Sequence, residues 1–439
     1  MASSLGKDDS IIIVGAGVFG LSLAYELASA RGYTEITVLD RSLPPVPDGS
    51  SVDISRIIRS EYADEVYSRM AKEAMVGWRT DYSQHYHEDG FVLLAEGDNH
   101  PYVEKILEYG NKDPNTRARA YKVKETPSAI KQAYPAVHAK IEGMSAVHNP
   151  EGGWADAAGS VNSLAERASR IGVNFVTGRR GTVVGFEFNK SLTQVTGVRV
   201  RSGPSLRASR IVLATGAWTN TLVPNIGHAM SASGQPVGFI QLSPEEAAQL
   251  KPHPVLINMT TGVFCFPPSP DNILKLARHG YGYANRVPAS YGAKLPQRPM
   301  VSAPNRDKDN SRSGYLPDDA DQALREGLQQ FFPAFADRPW SNRRLCWYTD
   351  TPDGDFVVDN HSTVQNLFFA TGGAGHGFKF LPVLGKYLAD CFEDKAPSDL
   401  RHKWRLRPVN QEQHGDKFGD GSRAGPPLRQ LTAIEQANL

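Results

Sequence analysis

Cysteine is scarce in this chain. Cys265, Cys346 and Cys391 are the only three in 439 residues, an odd and small number that excludes a disulfide framework and fits a reducing compartment. Neither sign of charge dominates. Lysine and arginine total 48 against 47 aspartates and glutamates, a net charge of +1, so no strong field argues for nucleic acid or an anionic membrane surface. No apolar run approaches the roughly 18 residues of a membrane helix. The opening MASSLGKDDSIIIVGAG lacks a basic region followed by an apolar core and a cleavage site, so no secretory leader is expected. No internal repeat is evident and no metal site is expected. What remains is ordinary globular composition, 40% hydrophobic and 22% charged, with length for roughly two to three domains.

The first motif is Gly15-Ala-Gly17-Val-Phe-Gly20. It follows the apolar run Ile11–Val14 and opens a stretch with helical spacing at Leu23, Leu27 and Ala28. A second apolar run, Ile36–Leu39, then ends in Asp40. This is a strand-helix-strand unit for a dinucleotide. Gly15 permits the tight turn, Gly17 admits the pyrophosphate, and Gly20 lets helix pack on strand. The helix N-terminus supplies amide donors, and Asp40 accepts from a ribose hydroxyl while repelling a 2′-phosphate. Val14, Val18, Phe19 and Arg41 flank these positions and join the cofactor candidates. The motif alone does not separate NAD from FAD. An NAD-dependent dehydrogenase and a binding protein without chemistry stay open at this point, and a flavin band in the visible spectrum separates them from a flavoprotein. The later strand RIVLATGAW, ending near Gly216 and Trp218, is the return crossing expected when a long substrate domain interrupts a FAD-binding fold. Val183, in a predicted hairpin with Val195–Val200, joins the cofactor set.

The pattern predicts an α/β protein. Residues 10–90, 150–222 and 336–408 are assigned to a discontinuous FAD-binding domain. Residues 91–149 and 223–335 are assigned to a substrate domain. The stretch YSRMAKEAMVGWR reads as helix, FVLLAEG as strand, and LPVLGKYLADCFE as helix. From about Gln235 to Arg343 the chain is proline-rich and reads as irregular. Residues 409–439 are polar and glycine-rich and read as a disordered tail.

Five stretches, GAGVFG, DISRIIR, ATGAW, LCWYTDTPD and TGGAGHGFKF, occur in that order. Together they resemble the monomeric sarcosine oxidase family of covalent flavoproteins, which includes pipecolate, saccharopine and fructosyl amino acid oxidases (amadoriases). The resemblance implies a glutathione-reductase-type Rossmann-like domain interleaved with a mixed-sheet α+β substrate domain. It implies a monomer that oxidises secondary amino acids. By that resemblance hydride would pass from the carbon next to nitrogen to FAD, an imine would leave, and dioxygen would become hydrogen peroxide. Cys346 would carry FAD by a thioether to the 8α-methyl group, and Arg343 and Arg344 beside it favour the thiolate that such a bond needs. Ser55 and Arg56 would lie near the flavin face. Arg59 and Lys379 would clamp the substrate carboxylate, Arg59 with a planar fork that lysine lacks. Gly375, His376, Gly377 and Phe378 would bring backbone to the flavin edge. Lys275 would help dioxygen accept electrons. His279 stands where amadoriases usually place glutamate, and Tyr348 where they often place cysteine, so both favour the sarcosine oxidase side. An amadoriase, or an amine oxidase of fungal secondary metabolism, is the alternative. Cys265 and Cys391 lack this context and read as packing residues. Ala437-Asn438-Leu439 loosely resembles a peroxisomal S-K-L signal, so a cytoplasmic or peroxisomal location is expected.

Overall fold

Ile11–Val14 is buried along its whole length, as a parallel strand covered on both faces must be. In the computed structural model, which describes residues 5–97, 100–112, 122–289, 299–408 and 419–439, it is a central strand of a six-stranded sheet. Arg210–Leu213 lies on one side and Ile36–Leu39 on the other, both parallel, with Ile11 opposite Arg210 and Ile36. Asn174–Val176 and Leu367–Thr371 extend the sheet in parallel, and Val357–Asn360 closes one edge antiparallel. The helix Val18–Ser29 packs against Leu381–Phe392. Their approach is close: a Cβ on Gly385 would lie 2.4 Å from the Ser22 carbonyl oxygen. Leu21, Leu23, Leu27, Leu384 and Leu388 fill the space between sheet and helices.

The second sheet has ten strands and is mixed. Its hub is Ser231–Gln241, eleven residues long and almost wholly buried. Ile273–Arg278 pairs with one side of it, setting Phe239 opposite Lys275. Asn342–Asp350 pairs with the other, setting Gln235 opposite Cys346. Beyond Ile273–Arg278 the sheet runs outward through Val263–Cys265, Val255–Asn258, Phe91–Glu96 and Met144–Asn149 to Lys122–Glu125. The fold class is therefore the expected one, a doubly covered parallel sheet joined to a mixed sheet. No helix of the described residues is long and apolar enough to cross a membrane.

Three expectations change. The stretch from Gln235 to Arg343 is not irregular; it holds the central strands of the large sheet. Gly234, Pro236 and Gly238 mask the pattern of the hub strand. The two glycines are there because bulk packs on them: a Cβ on Gly238 would lie 2.7 Å from the Trp340 ring, and one on Gly234 3.1 Å from Leu345. The strand carrying Cys346 belongs to the large sheet, whereas the 336–408 assignment put it with the FAD-binding domain. Residues 419–439 are ordered rather than disordered. Arg429–Gln430 pairs in parallel with Tyr283–Ala284, and Ala433–Asn438 is a helix with a Thr432/Glu435 capping box. Composition hid this because ion pairs to distant residues, Arg429 to Asp319 and Arg423 to Asp350, hold the segment. The rest of the predicted tail, 409–418, lies outside the described residues.

Candidate active site

The glycine turn leaves no room for side chains. Gly15 has φ +112°, and a Cβ there would lie 2.3 Å from the Ala214 carbonyl. A Cβ on Gly20 would lie 1.9 Å from the Gly15 carbonyl, so Gly20 serves packing and does not line the cleft. Above the turn is a cleft of about 880 Å³, walled by Val14, Gly15, Gly17, Asp40, Arg41, Val183, Gly216 and Trp218. Asp40 accepts the amides of Ala16 at 2.8 Å and Arg41 at 2.7 Å. Burial raises its carboxyl and these amides oppose the rise. Each oxygen keeps lone pairs for hydroxyl donors. The Arg41 guanidinium stacks 4.3 Å over Trp218. Bare backbone at the turn and an acid at the end of the second strand suit a dinucleotide, so the residues present fit FAD.

Gly17 and Gly216 also wall a second, adjoining cleft of about 1350 Å³ between the two sheets. Val18 and Phe19 enter it from the helix. Cys346, Tyr348, Lys275 and Arg56 enter it from strands, and Arg59 from the residue just after the strand Arg56–Ile58. Gly375, His376, Gly377, Phe378 and Lys379 enter it from the loop and turn before Leu381–Phe392. A Cβ on Gly375 would lie 2.4 Å from the Tyr348 ring, and one on Gly377 2.8 Å from Phe19, so these glycines admit aromatic rings as well as a ligand.

The Cys346 thiol is buried, with the Arg56 guanidinium nitrogen 3.6 Å from its sulfur. Arg343 does not share this site; it pairs with Asp321 at 2.7 Å. Strand residues alternate faces, so Arg344, Cys346 and Tyr348 share one side and Arg343 the other. Arg344 stays near, donating to the Val52 carbonyl at 3.2 Å. Cys265 and Cys391 are buried, and burial pushes both thiols up.

Lys275 is 2% exposed. Its ammonium lies 2.8 Å from Asp53 and donates to the Ser55 carbonyl at 2.7 Å. Burial brings it down to about 7, with Arg56 and Arg344 adding to the fall and Asp53 opposing it. Asp53 is the residue that sequence reading missed. Burial raises its carboxyl, but Lys275, Arg56 and Arg344 outweigh that and hold it far below the usual range. The signal was a single acid at the head of DISRIIR. Ser55 contributes its carbonyl to Lys275 and does not wall the cleft, and its hydroxyl has no partner among the described residues.

Arg59 donates to Tyr102 Oη at 3.0 Å and to the Glu61 carbonyl, and lies 5.0 Å over the Tyr62 ring. Lys379 donates to Tyr62 Oη at 2.9 Å and to the His376 carbonyl at 3.1 Å. Burial, and then Arg59, push the Lys379 amine well down. His376 is held by Tyr62 Oη at 3.0 Å and the Gly354 carbonyl at 2.7 Å, and burial pushes it down to about 4. His279 bonds Ser422 at 2.9 Å, a residue from the segment expected to be disordered. Beside it Arg423 pairs with Asp350 and lies 5.5 Å over the Tyr348 ring.

A Rossmann-type sheet opening onto a mixed-sheet cleft with buried cations is the arrangement of a dinucleotide-dependent oxidoreductase. Comparison with known proteins narrows that class. The chain belongs to the DAO family, FAD dependent oxidoreductase, which matches residues 10–391. It is 34% identical over 414 residues to L-saccharopine oxidase of Schizosaccharomyces pombe, covering 91% of this chain and 93% of that protein. It is 26% identical to monomeric sarcosine oxidase of an Arthrobacter species, covering 88% and 92%. Among solved structures, fructosamine oxidase (Amadoriase II) of Aspergillus fumigatus superposes with a TM-score of 0.83 at 28% identity, covering 97% and 96%.

Proposed function

We propose that this FAD-dependent oxidoreductase oxidises secondary amino acids of the pipecolate, saccharopine or sarcosine type, with dioxygen as acceptor and with FAD tethered to Cys346. The observation that carries the reading is the convergence of Arg59 and Lys379 on the cleft that Lys275 and Cys346 also line. Bound FAD would accept a hydride equivalent from the carbon next to nitrogen and return the electron pair to dioxygen as hydrogen peroxide. Arg59 and Lys379 orient the carboxylate, and an arriving anion restores the charge that burial removes from Lys379. Arg56 and Lys275 disfavour a substrate ammonium, so the amine binds neutral. Asp53 is a carboxylate on this cleft, but three cations engage it, which supports a reaction without a carboxylate base. Lys275 supplies the fixed positive charge that favours reduction of dioxygen.

The fold of Amadoriase II favours a second reading, oxidation of fructosyl amino acids. His279 in place of a glutamate argues against it. A panel of pipecolate, saccharopine, sarcosine, proline and fructosyl-glycine, read by peroxide release, decides. Peroxide from a secondary amino acid supports the proposal; peroxide from fructosyl-glycine alone, or from none, overturns it.

A further inference from the structure

The segment Gly419–Arg423 lies beyond the residues the family matches, yet it reaches the cleft. Arg423 is 5% exposed and anchors it, pairing with Asp350 and donating to the Ala374 carbonyl at 3.0 Å. The next amide, of Ala424, donates to the His279 carbonyl at 3.2 Å. Just before these anchors Ser422 forms part of the cleft wall.

The hydrogen-bond roles in this corner follow from donor counting. One Asp420 carboxylate oxygen accepts the Ser422 amide at 3.0 Å and the Ser422 hydroxyl. An ionised carboxylate only accepts, and Asp420 is ionised: burial raises its carboxyl, but His376 and the Ser422 hydroxyl hold it well below its ordinary value. The one hydroxyl proton of Ser422 is therefore spent on Asp420. Toward His279 Nε2, 2.9 Å away, the hydroxyl acts as acceptor, so Nε2 carries the ring proton. Burial, and then Arg423, keep the ring neutral, pushing it down to about 3; Asp420 opposes this, and Lys379 and Arg59 add to the fall. Nδ1 then holds a bare lone pair. It has no partner among the described residues and is not a sealed, unsatisfied atom, and His279 lines the cleft.

We propose that Asp420 and Ser422 are positioning residues that fix His279 as the Nε2–H tautomer, so that Nδ1 accepts the N–H of a secondary amine and disfavours tertiary amines. This rests on the amine-oxidase reading for the substrate N–H, but the tautomer does not. The holoenzyme is labelled with ¹⁵N-histidine, and the His279 signals are assigned by difference from His279→Asn or His279→Gln. The expected spectrum shows a protonated Nε2 and an unprotonated Nδ1. Ser422→Ala brings in the Nδ1–H form, and Ser422→Thr keeps the wild-type pattern. With a secondary amine and its N-methyl analogue, the preference in kcat/KM for the secondary amine falls by about tenfold in Ser422→Ala and returns in Ser422→Thr. A protonated Nδ1 in the wild type, or a spectrum unmoved by Ser422→Ala, overturns the proposal. Absence of turnover with every secondary amine sinks the amine-oxidase reading and the assigned acceptor role, while the nitrogen spectrum still reports on the tautomer.

Discussion

Lys275 is a cleft cation whose charge state changes near physiological pH. Burial sets its transition near 7, so the cationic form is present below that pH and is lost as pH rises through it. The rate of reoxidation by dioxygen is expected to fall as pH rises through about 7 and to become flat in Lys275→Met. Stopped-flow traces of the two half-reactions check this, with reoxidation slowed far more than reduction. Asp53→Asn removes the anion that opposes the fall, so the midpoint moves to lower pH. Cys346→Ala is expected to release FAD on acid precipitation, while the wild-type pellet stays yellow and the washed polypeptide carries the mass of one FAD. Arg59→Lys keeps the charge but loses the fork, and is expected to raise KM for the amino acid with little change in FAD content. The cleft placement of Cys346, Arg59 and Lys379 was legible because each sits in a stretch with its own chemistry: a thiol beside aromatics, an arginine pair, a lysine after a glycine-rich turn. Asp53 was not, since a lone acid carries no pattern until three cations from other strands surround it. The role given to Arg343 failed on strand alternation, which the stretch of sequence around Cys346 does not reveal until its pairing is known.

At the scale of elements, the glycine turn and its helix were readable because period and punctuation coincide. The turn is also intolerant. Gly20→Ala puts a methyl group into the Gly15 carbonyl, and overpacking of this kind costs about 1–3 kcal/mol. A lowered midpoint in denaturant, together with weaker FAD retention, is the expected result. The hub strand Ser231–Gln241 was not readable. Two glycines and a proline erase its alternation, and the rings that explain them, Trp340 and Trp347, come from a strand and loop roughly a hundred residues later. The hydrophobic pattern of a strand reports which face is buried; it does not report what approaches that face so closely that only glycine fits.

Across the whole molecule, the two sheets meet at the cleft and the segment 419–439 ties back onto the larger one. Composition misjudged that segment because its hold is ionic and long-range. The Arg423–Asp350 pair is almost wholly buried, so Arg423→Ala strands a carboxylate and is expected to cost about 3–5 kcal/mol, read as a drop in Tm. The positions of the Cys346 thiol and the glycine turn have a further consequence if the proposed tether forms. Cys346 rides on the mixed sheet, whereas Gly15 and Gly17 belong to the parallel one. A ligand bonded to the first and gripped by the second acts as a rivet through the seam. Amide exchange on both flanks of that seam should then slow in concert once the rivet is set, making maturation of the protein a mechanical event as well as a chemical one.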